Sequence, residues 1–244
     1  MPIFVLGKST FMKIFKHTLI SLAAVVLFTL ILAPLASRAQ VVNEATKKRI
    51  SIGVGLFTDI WMNTATAQGM KTRTINQGFN VFGTYNLPLG KSRFSFAIGL
   101  SISIHNLYWN YRFEGSNDSL QFKLIPDGES YKRSKLTLPY LEIPLEFRYK
   151  AKSKFALGIG FKIGYMVYAH SKYVGSDYLF GTTGTLVSSM KNIDNIEKFA
   201  YGPTLRIGYK WIHVTGYYSL SKIFSNGKGP DMYPISVGFV LMPF

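Results

Sequence analysis

The chain has no cysteine, which excludes disulfides, thiolate metal centres and an acylated-cysteine anchor. Acidic residues are scarce, 12 against 28 Lys and Arg, and charged residues make up only 16% of the chain. Of the 4 histidines, no two stand at the short spacings that gather a metal on one helix or strand, so no metal or other cofactor is expected. There is no basic helix and no Gly-rich phosphate loop, so nucleic acid is not expected as a partner. After the first forty residues there is also no long apolar run, which rules out a helical membrane protein.

Those first forty residues read differently from the rest. Lys8, Lys13 and Lys16 precede the apolar stretch Leu19 to Leu32, and Pro34 and the small-residue pattern Ser37-Arg38-Ala39 follow it. This is the order of a secretory signal peptide. Cleavage after Ala39 is expected, with residues 40–244 as one mature domain; Met12 offers a second, more ordinary start. A retained anchor is the competing reading, and Pro34 and the small-x-small site count against it. Cleavage removes Lys8, Lys13, Lys16 and Arg38 and no acid, so the net charge falls from +16 to +12. An exported chain with that balance is expected to meet anionic lipid or lipopolysaccharide surfaces.

From there on the sequence alternates with a period of two, the mark of strands with unlike faces. Eight such segments stand near residues 50–60, 76–87, 93–105, 137–150, 154–168, 198–209, 211–222 and 233–242. In the third, Phe94, Phe96, Ile98, Leu100, Ile102 and Ile104 alternate with Ser95, Ala97, Gly99, Ser101, Ser103 and His105. A soluble sandwich also alternates, but its second face carries Lys, Glu, Thr and Gln. Here the second face is Gly, Ala and Ser with single charges, which suits the crowded interior of a narrow barrel whose apolar face meets lipid. The expected fold is all-β: an eight-stranded antiparallel up-and-down transmembrane barrel of the outer membrane.

Connection lengths agree with it. They are short near 88–92, 151–153 and 210, and long near 61–75, 106–136, 169–197 and 223–232, as periplasmic turns and extracellular loops require. Face parity predicts an even turn around Lys210 and Trp211, and an odd one centred on Lys152 that sets Glu142 opposite Lys162. Aromatic girdles are expected from Phe94, Tyr149, Phe155, Tyr209, Trp211 and Phe244 at one rim and from Trp61, Phe79, Trp109, Tyr140, Tyr168 and Tyr233 at the other. In the fourth segment the apolar set switches from even positions (Leu136, Leu138, Tyr140) to odd ones (Leu141, Ile143, Leu145, Phe147). A β-bulge near Tyr140 would explain this together with Pro139. Pro144 and Pro203 also fall inside segments that a closed barrel pairs on both sides.

The run Tyr140-Leu141-Glu142-Ile143-Pro144-Leu145-Glu146, its short turn and Phe155 to Tyr165 resemble the PorT-like outer-membrane β-barrels of Bacteroidota. The Ala39-Gln40 processing site and terminal Phe244 fit the same layout, although the parity of Phe244 departs from the usual terminal strand. The resemblance implies an eight-stranded outer-membrane barrel, generally without known activity, whose namesake serves a secretion and gliding apparatus.

Parity directs Glu142, Glu146, Arg148, Lys162 and Arg206 into the barrel. Paired carboxylates can act as acid and base, but charges inside a membrane barrel must first satisfy one another, and the expected role is structural. A non-enzymatic structural or interaction barrel is therefore expected, with lipopolysaccharide and other envelope or secretion proteins as partners. Two alternatives stand beside it: a lipid A deacylase-like enzyme using His105 and His170 at the rim, and a soluble periplasmic barrel that binds an apolar ligand. The long polar loops are candidates for recognition.

Overall fold

The computed structural model describes residues 49–64, 69–114, 121–178, 182–191 and 193–242. The expected signal peptide, its cleavage site and Phe244 lie outside them. In chain order the strands are β1 (Ile50–Met62), β2 (Gln77–Pro88), β3 (Phe94–Tyr108), β4 (Tyr111–Glu114), β5 (Gln121–Leu124) and β6 (Tyr131–Lys150). They continue with β7 (Phe155–Met166), β8 (His170–Asp177), β9 (Thr182–Lys191), β10 (Phe199–Tyr209), β11 (Ile212–Tyr218) and β12 (Tyr233–Leu241). Eight of them, β1, β2, β3, β6, β7, β10, β11 and β12, each pair antiparallel with the next, and β12 returns to β1. The ring is closed. Closure leaves no edge in the membrane, where an unpaired backbone group has no water to bond.

The two faces separate as the alternation requires. Ile52, Val54 and Leu56 of β1, Leu100 and Ile102 of β3, Ile159 and Ile163 of β7, and Phe239 and Leu241 of β12 all point outward and are exposed. The facing set is small because the interior is narrow. Phe57 lies between Gly78 on β2 and Gly238 on β12, directly opposite each. A Cβ on Gly78 would fall 2.0 Å from Phe57 Cε2. His213 lies over Gly208 in the same way, where a Cβ would meet its Cδ2 at 1.9 Å. Glycine makes the room that an inward ring needs.

Of the short connections, one keeps the expected register and one departs from it. Between β10 and β11, Tyr209 pairs with Ile212, so the turn is the even pair Lys210-Trp211, with Lys210 in the left-handed region at φ 56°. Between β6 and β7 the turn is longer than expected and centres on Ser153, with Lys154 left-handed at φ 71°. Glu142 therefore pairs with Gly164, and Lys162 stands opposite Pro144. The parity is as expected and the register is displaced by two residues. Parity cannot fix a turn's centre, because a shift of two residues keeps every side chain on its face.

The expected bulge at Tyr140 is absent: β6 runs through Pro139 with even-numbered residues inward from Ser134 to Glu146. The apolar switch has another cause. Leu136, Leu138 and Tyr140 are inward and buried in an apolar cluster with Trp61, Leu107, Trp109, Phe113, Ile196, Phe224 and Met232. Below that level the interior is polar; above it, the long-loop segments fold in and make an ordinary hydrophobic core. Trp61, Trp109 and Tyr140 thus belong to this plug and not to the girdle expected for them, whereas Phe79 and Tyr168 are exposed on the outer surface. At the short-turn rim Phe94, Phe155, Tyr209 and Trp211 are exposed, and Phe94 packs on Tyr149 with ring centroids 5.0 Å apart.

The prolines fall at gaps in the ladders. Pro139 lies where β6 passes from its pairing with β7, whose last β6 residue is Tyr140, to its pairing with β8, whose nearest β6 residue is Thr137. Beside Pro144 the β3–β6 pairing lapses between Ile98 and Ser101 with its register unchanged. Pro203 lies just past the last β10–β11 pair, Thr204 with Tyr217.

Two of the expected loops contain strands. β4 and β5 form a small hairpin, and β8 and β9 extend the barrel sheet beside the upper half of β6. Replacing Gly78 by Val drives the larger side chain into Phe57 and, through it, into His105, whose ring centroid is 4.8 Å from that of Phe57. The expected cost is about 1–3 kcal/mol. It is read as a lower temperature for conversion of the compact to the unfolded band on an unboiled gel; an unchanged temperature means that the ring and the glycine do not interlock.

Candidate functional site

The barrel interior carries its charges in three tiers. Nearest the short turns, Glu146 of β6 accepts from Arg148 Nε at 2.7 Å and lies 3.0 Å from Arg206 Nη2 of β10. Arg148 Nη1 also donates to Asn86 Oδ1 at 2.7 Å, and the Arg206 guanidinium lies over the Phe82 ring at 4.5 Å. In the middle tier Lys162 Nζ reaches diagonally from β7 to Glu142 Oε1, 2.7 Å away, and Ser103 Oγ donates to Glu142 Oε2 at 2.6 Å. The Lys162 ammonium sits 3.8 Å from the centroid of Tyr217, a close cation–π contact. All five residues picked out by parity thus lie in the lumen, and Glu142 meets Lys162 although the two are not opposite.

The third tier is one that sequence reasoning missed. Asp59 of β1, wholly buried, bonds His105 Nδ1 of β3 at 2.9 Å and accepts from Ser236 Oγ of β12 at 2.6 Å. The signal was present, since Asp59 shares the inward parity of Gly53 and Gly55. What could not be read was the partnership, which joins residues 46 and 177 positions apart.

Serine, histidine and aspartate in one place invite comparison with a hydrolase. A nucleophilic serine must bond its base, with the carboxylate on the far side of the imidazole. Here Ser236 and His105 both bond the carboxylate, and the contact ties three strands together. His170, the other rim histidine, is on β8 and bonds Ser189 at 2.9 Å, so it shares no partner with His105. Among the described residues no group of His, Cys, Asp and Glu is gathered to hold a metal ion.

Glu146 is thus paired with Arg148 and Arg206, Glu142 with Lys162, and Asp59 with His105. A cavity of about 50 Å³ lies between Phe57, Phe82, Lys162, Arg206 and Tyr217. That holds a few water molecules. The interior is filled, as an eight-stranded barrel should be.

The family described as outer membrane protein beta-barrel domain matches residues 36–225. The chain belongs to that family. This outer-membrane barrel is also similar to the solved structure of Ail, the attachment invasion locus protein of Yersinia pestis. Identity is 14% and the TM-score 0.36, over 80% of this chain and 97% of Ail. Ail in complex with the heparin analogue sucrose octasulfate matches at 15% identity and a TM-score of 0.35, with the same coverage of 80% and 97%. No curated protein matches the sequence. Outer-membrane placement accounts for the exposed apolar belt, which a soluble periplasmic barrel would have to hide.

Glu146 is the point at which the interior network is most vulnerable. Its side chain is 4% exposed and answers two guanidinium groups. Glu146→Gln leaves both partly uncompensated, a loss of about 3–5 kcal/mol. Lys222→Gln, which removes an exposed pair with Asp231, should cost no more than about 1 kcal/mol. Conversion temperatures of the folded gel band compare them directly, and equal shifts for the two variants would contradict the assignment.

Proposed function

We propose that this barrel is a non-enzymatic structural or interaction protein, exported by a signal peptide over residues 1–39, whose long-loop end faces out of the cell and engages a partner of the envelope. A secretion or envelope assembly is the natural setting, and the YLEIPLE hairpin supports placing the chain with the PorT-like barrels. The interior charges Glu142, Glu146, Arg148, Lys162 and Arg206 are structural in this reading, because each is engaged by a neighbour inside the barrel.

One observation carries the proposal. The barrel sheet does not stop at the membrane; it continues through the upper half of β6 into β8 and ends at β9, whose far side has no strand among the described residues. Natural proteins usually blunt such an edge with proline, inward charge or a bulge. β9, from Thr182 to Lys191, has no proline and a single lysine at its end. Its outward Val187 is 61% exposed. An open sheet edge offers backbone hydrogen bonds to an added strand. The lumen argues in the same direction, since paired charges and the apolar plug occupy it and move the interest of the molecule to its rim.

A photo-crosslinking residue at Val187 should give one discrete protein adduct in native membranes, while the same residue at Ile159 in the lipid belt should give none. Adducts at neither position, or the same adducts at both, would remove the support for a docking edge.

A further inference from the structure

The outward face just above the lipid belt is strongly basic. In β6 the odd-numbered outward parity runs without a break from the apolar Leu141, Ile143 and Leu145 to Thr137, Lys135 and Arg133. The cations therefore lie on the side that faces lipid lower down. Lys135 is flanked by Tyr108 on β3 and, directly opposite, by Lys172 on β8. One row nearer the belt, Thr137 pairs with His170, and His170 pairs with Lys191 on β9. Arg73 joins from the β1–β2 connection, its guanidinium 4.7 Å from the Tyr108 ring centroid, and the Lys135 ammonium is 5.7 Å from the same ring.

Like charges directly opposite on neighbouring strands are unfavourable. No Asp or Glu occurs in the four stretches that build this face, 106–108, 133–137, 170–174 and 187–191. None of Arg73, Arg133, Lys135, Lys172 and Lys191 takes part in the salt bridges of the described residues. The contrast with the interior, where Glu142 and Glu146 answer Lys162, Arg148 and Arg206, is direct. Burial, and then Arg133 and Lys172, hold the Lys135 pKa below its ordinary value, so this charge lacks its usual hydration.

We propose that Arg73, Lys135 and Lys172 form a binding site for the phosphate groups of a phosphorylated glycolipid in the outer leaflet. The site rests on the reading above that places the long-loop end outside. Its height selects the ligand, because the cations begin one to three rows above the apolar belt, where a lipid headgroup lies and from which its acyl chains can run down along Leu141, Ile102 and Ile163. Tyr108 supplies a flat apolar surface between the cations, and Lys135 and Lys172 stop repelling when a phosphate bridges them. A soluble phosphate would gain the charge contacts and none of the apolar ones.

The test uses the full folded chain in mixed micelles with bisphosphorylated lipid A as probe, dephosphorylated lipid A as comparison and inorganic phosphate as competitor. Bisphosphorylated lipid A should bind, and Lys135→Gln with Lys172→Gln should weaken it about tenfold. Lys152→Gln, in the turn at the opposite end, should leave the affinity unchanged. If the double variant lacks the compact gel band, Arg73→Gln in the connecting loop replaces it and should still weaken binding. Equal binding of dephosphorylated lipid A, an unaltered affinity in the folded variants, or full displacement by inorganic phosphate would each overturn the site. Those results leave the docking edge intact, because crosslinking at Val187 reads it separately.

Discussion

Backbone hydrogen bonding in a medium without water dictates the rest of this structure. A strand in hydrocarbon must give every N–H and C=O a partner, so the sheet closes on itself, β12 onto β1. Closing with eight strands leaves an interior too narrow for large side chains on every strand. Small residues, glycine and serine above all, hold many inward positions, and the rings Phe57, Phe82 and His213 enter opposite a glycine. The charges that remain inside have room for only a few waters, and they are arranged so that each carboxylate meets a cation or a histidine. Composition, parity and ion pairing follow from one requirement.

The same strands obey a second set of conditions once they leave the membrane. β6 keeps one parity over its whole length, yet its inward residues change from Glu146, Pro144 and Glu142 to Tyr140, Leu138 and Leu136. Its outward residues change in the opposite sense, from Phe147 and Ile143 to Lys135 and Arg133. Inside out below, the strand has the ordinary arrangement above, because the medium outside has changed from lipid to water. The apolar plug and the basic collar are two sides of that single change.

This reversal also explains what the sequence could and could not disclose. The eight barrel segments and their faces were legible because a period of two is a local property and the lipid belt is uniform. The even turn at Lys210-Trp211 followed from parity alone. The reversal in the fourth segment was visible as a switch of the apolar set, but a bulge and a change of surroundings produce the same pattern, and the bulge was the wrong explanation. Trp61 and Trp109 were assigned to a girdle for the same reason: their height was legible and their face was not. β8 and β9 escaped notice because the water-washed outer face of a strand needs no apolar alternation. Among the interior charges, parity gave the face of each residue; the Asp59, His105 and Ser236 contact needed the closure of β12 onto β1, which no local pattern encodes.

Spin labels placed one at a time from Arg133 to Phe147 test the unbroken parity of β6 most directly, through their accessibility to oxygen and to a polar relaxing agent. Odd positions from 141 to 147 should be open to oxygen alone, and odd positions from 133 to 137 to the polar agent, with even positions closed to both throughout. Accessible even positions above Tyr140 would mean that the strand flips there and that the plug and the collar are not opposite faces of one continuous strand.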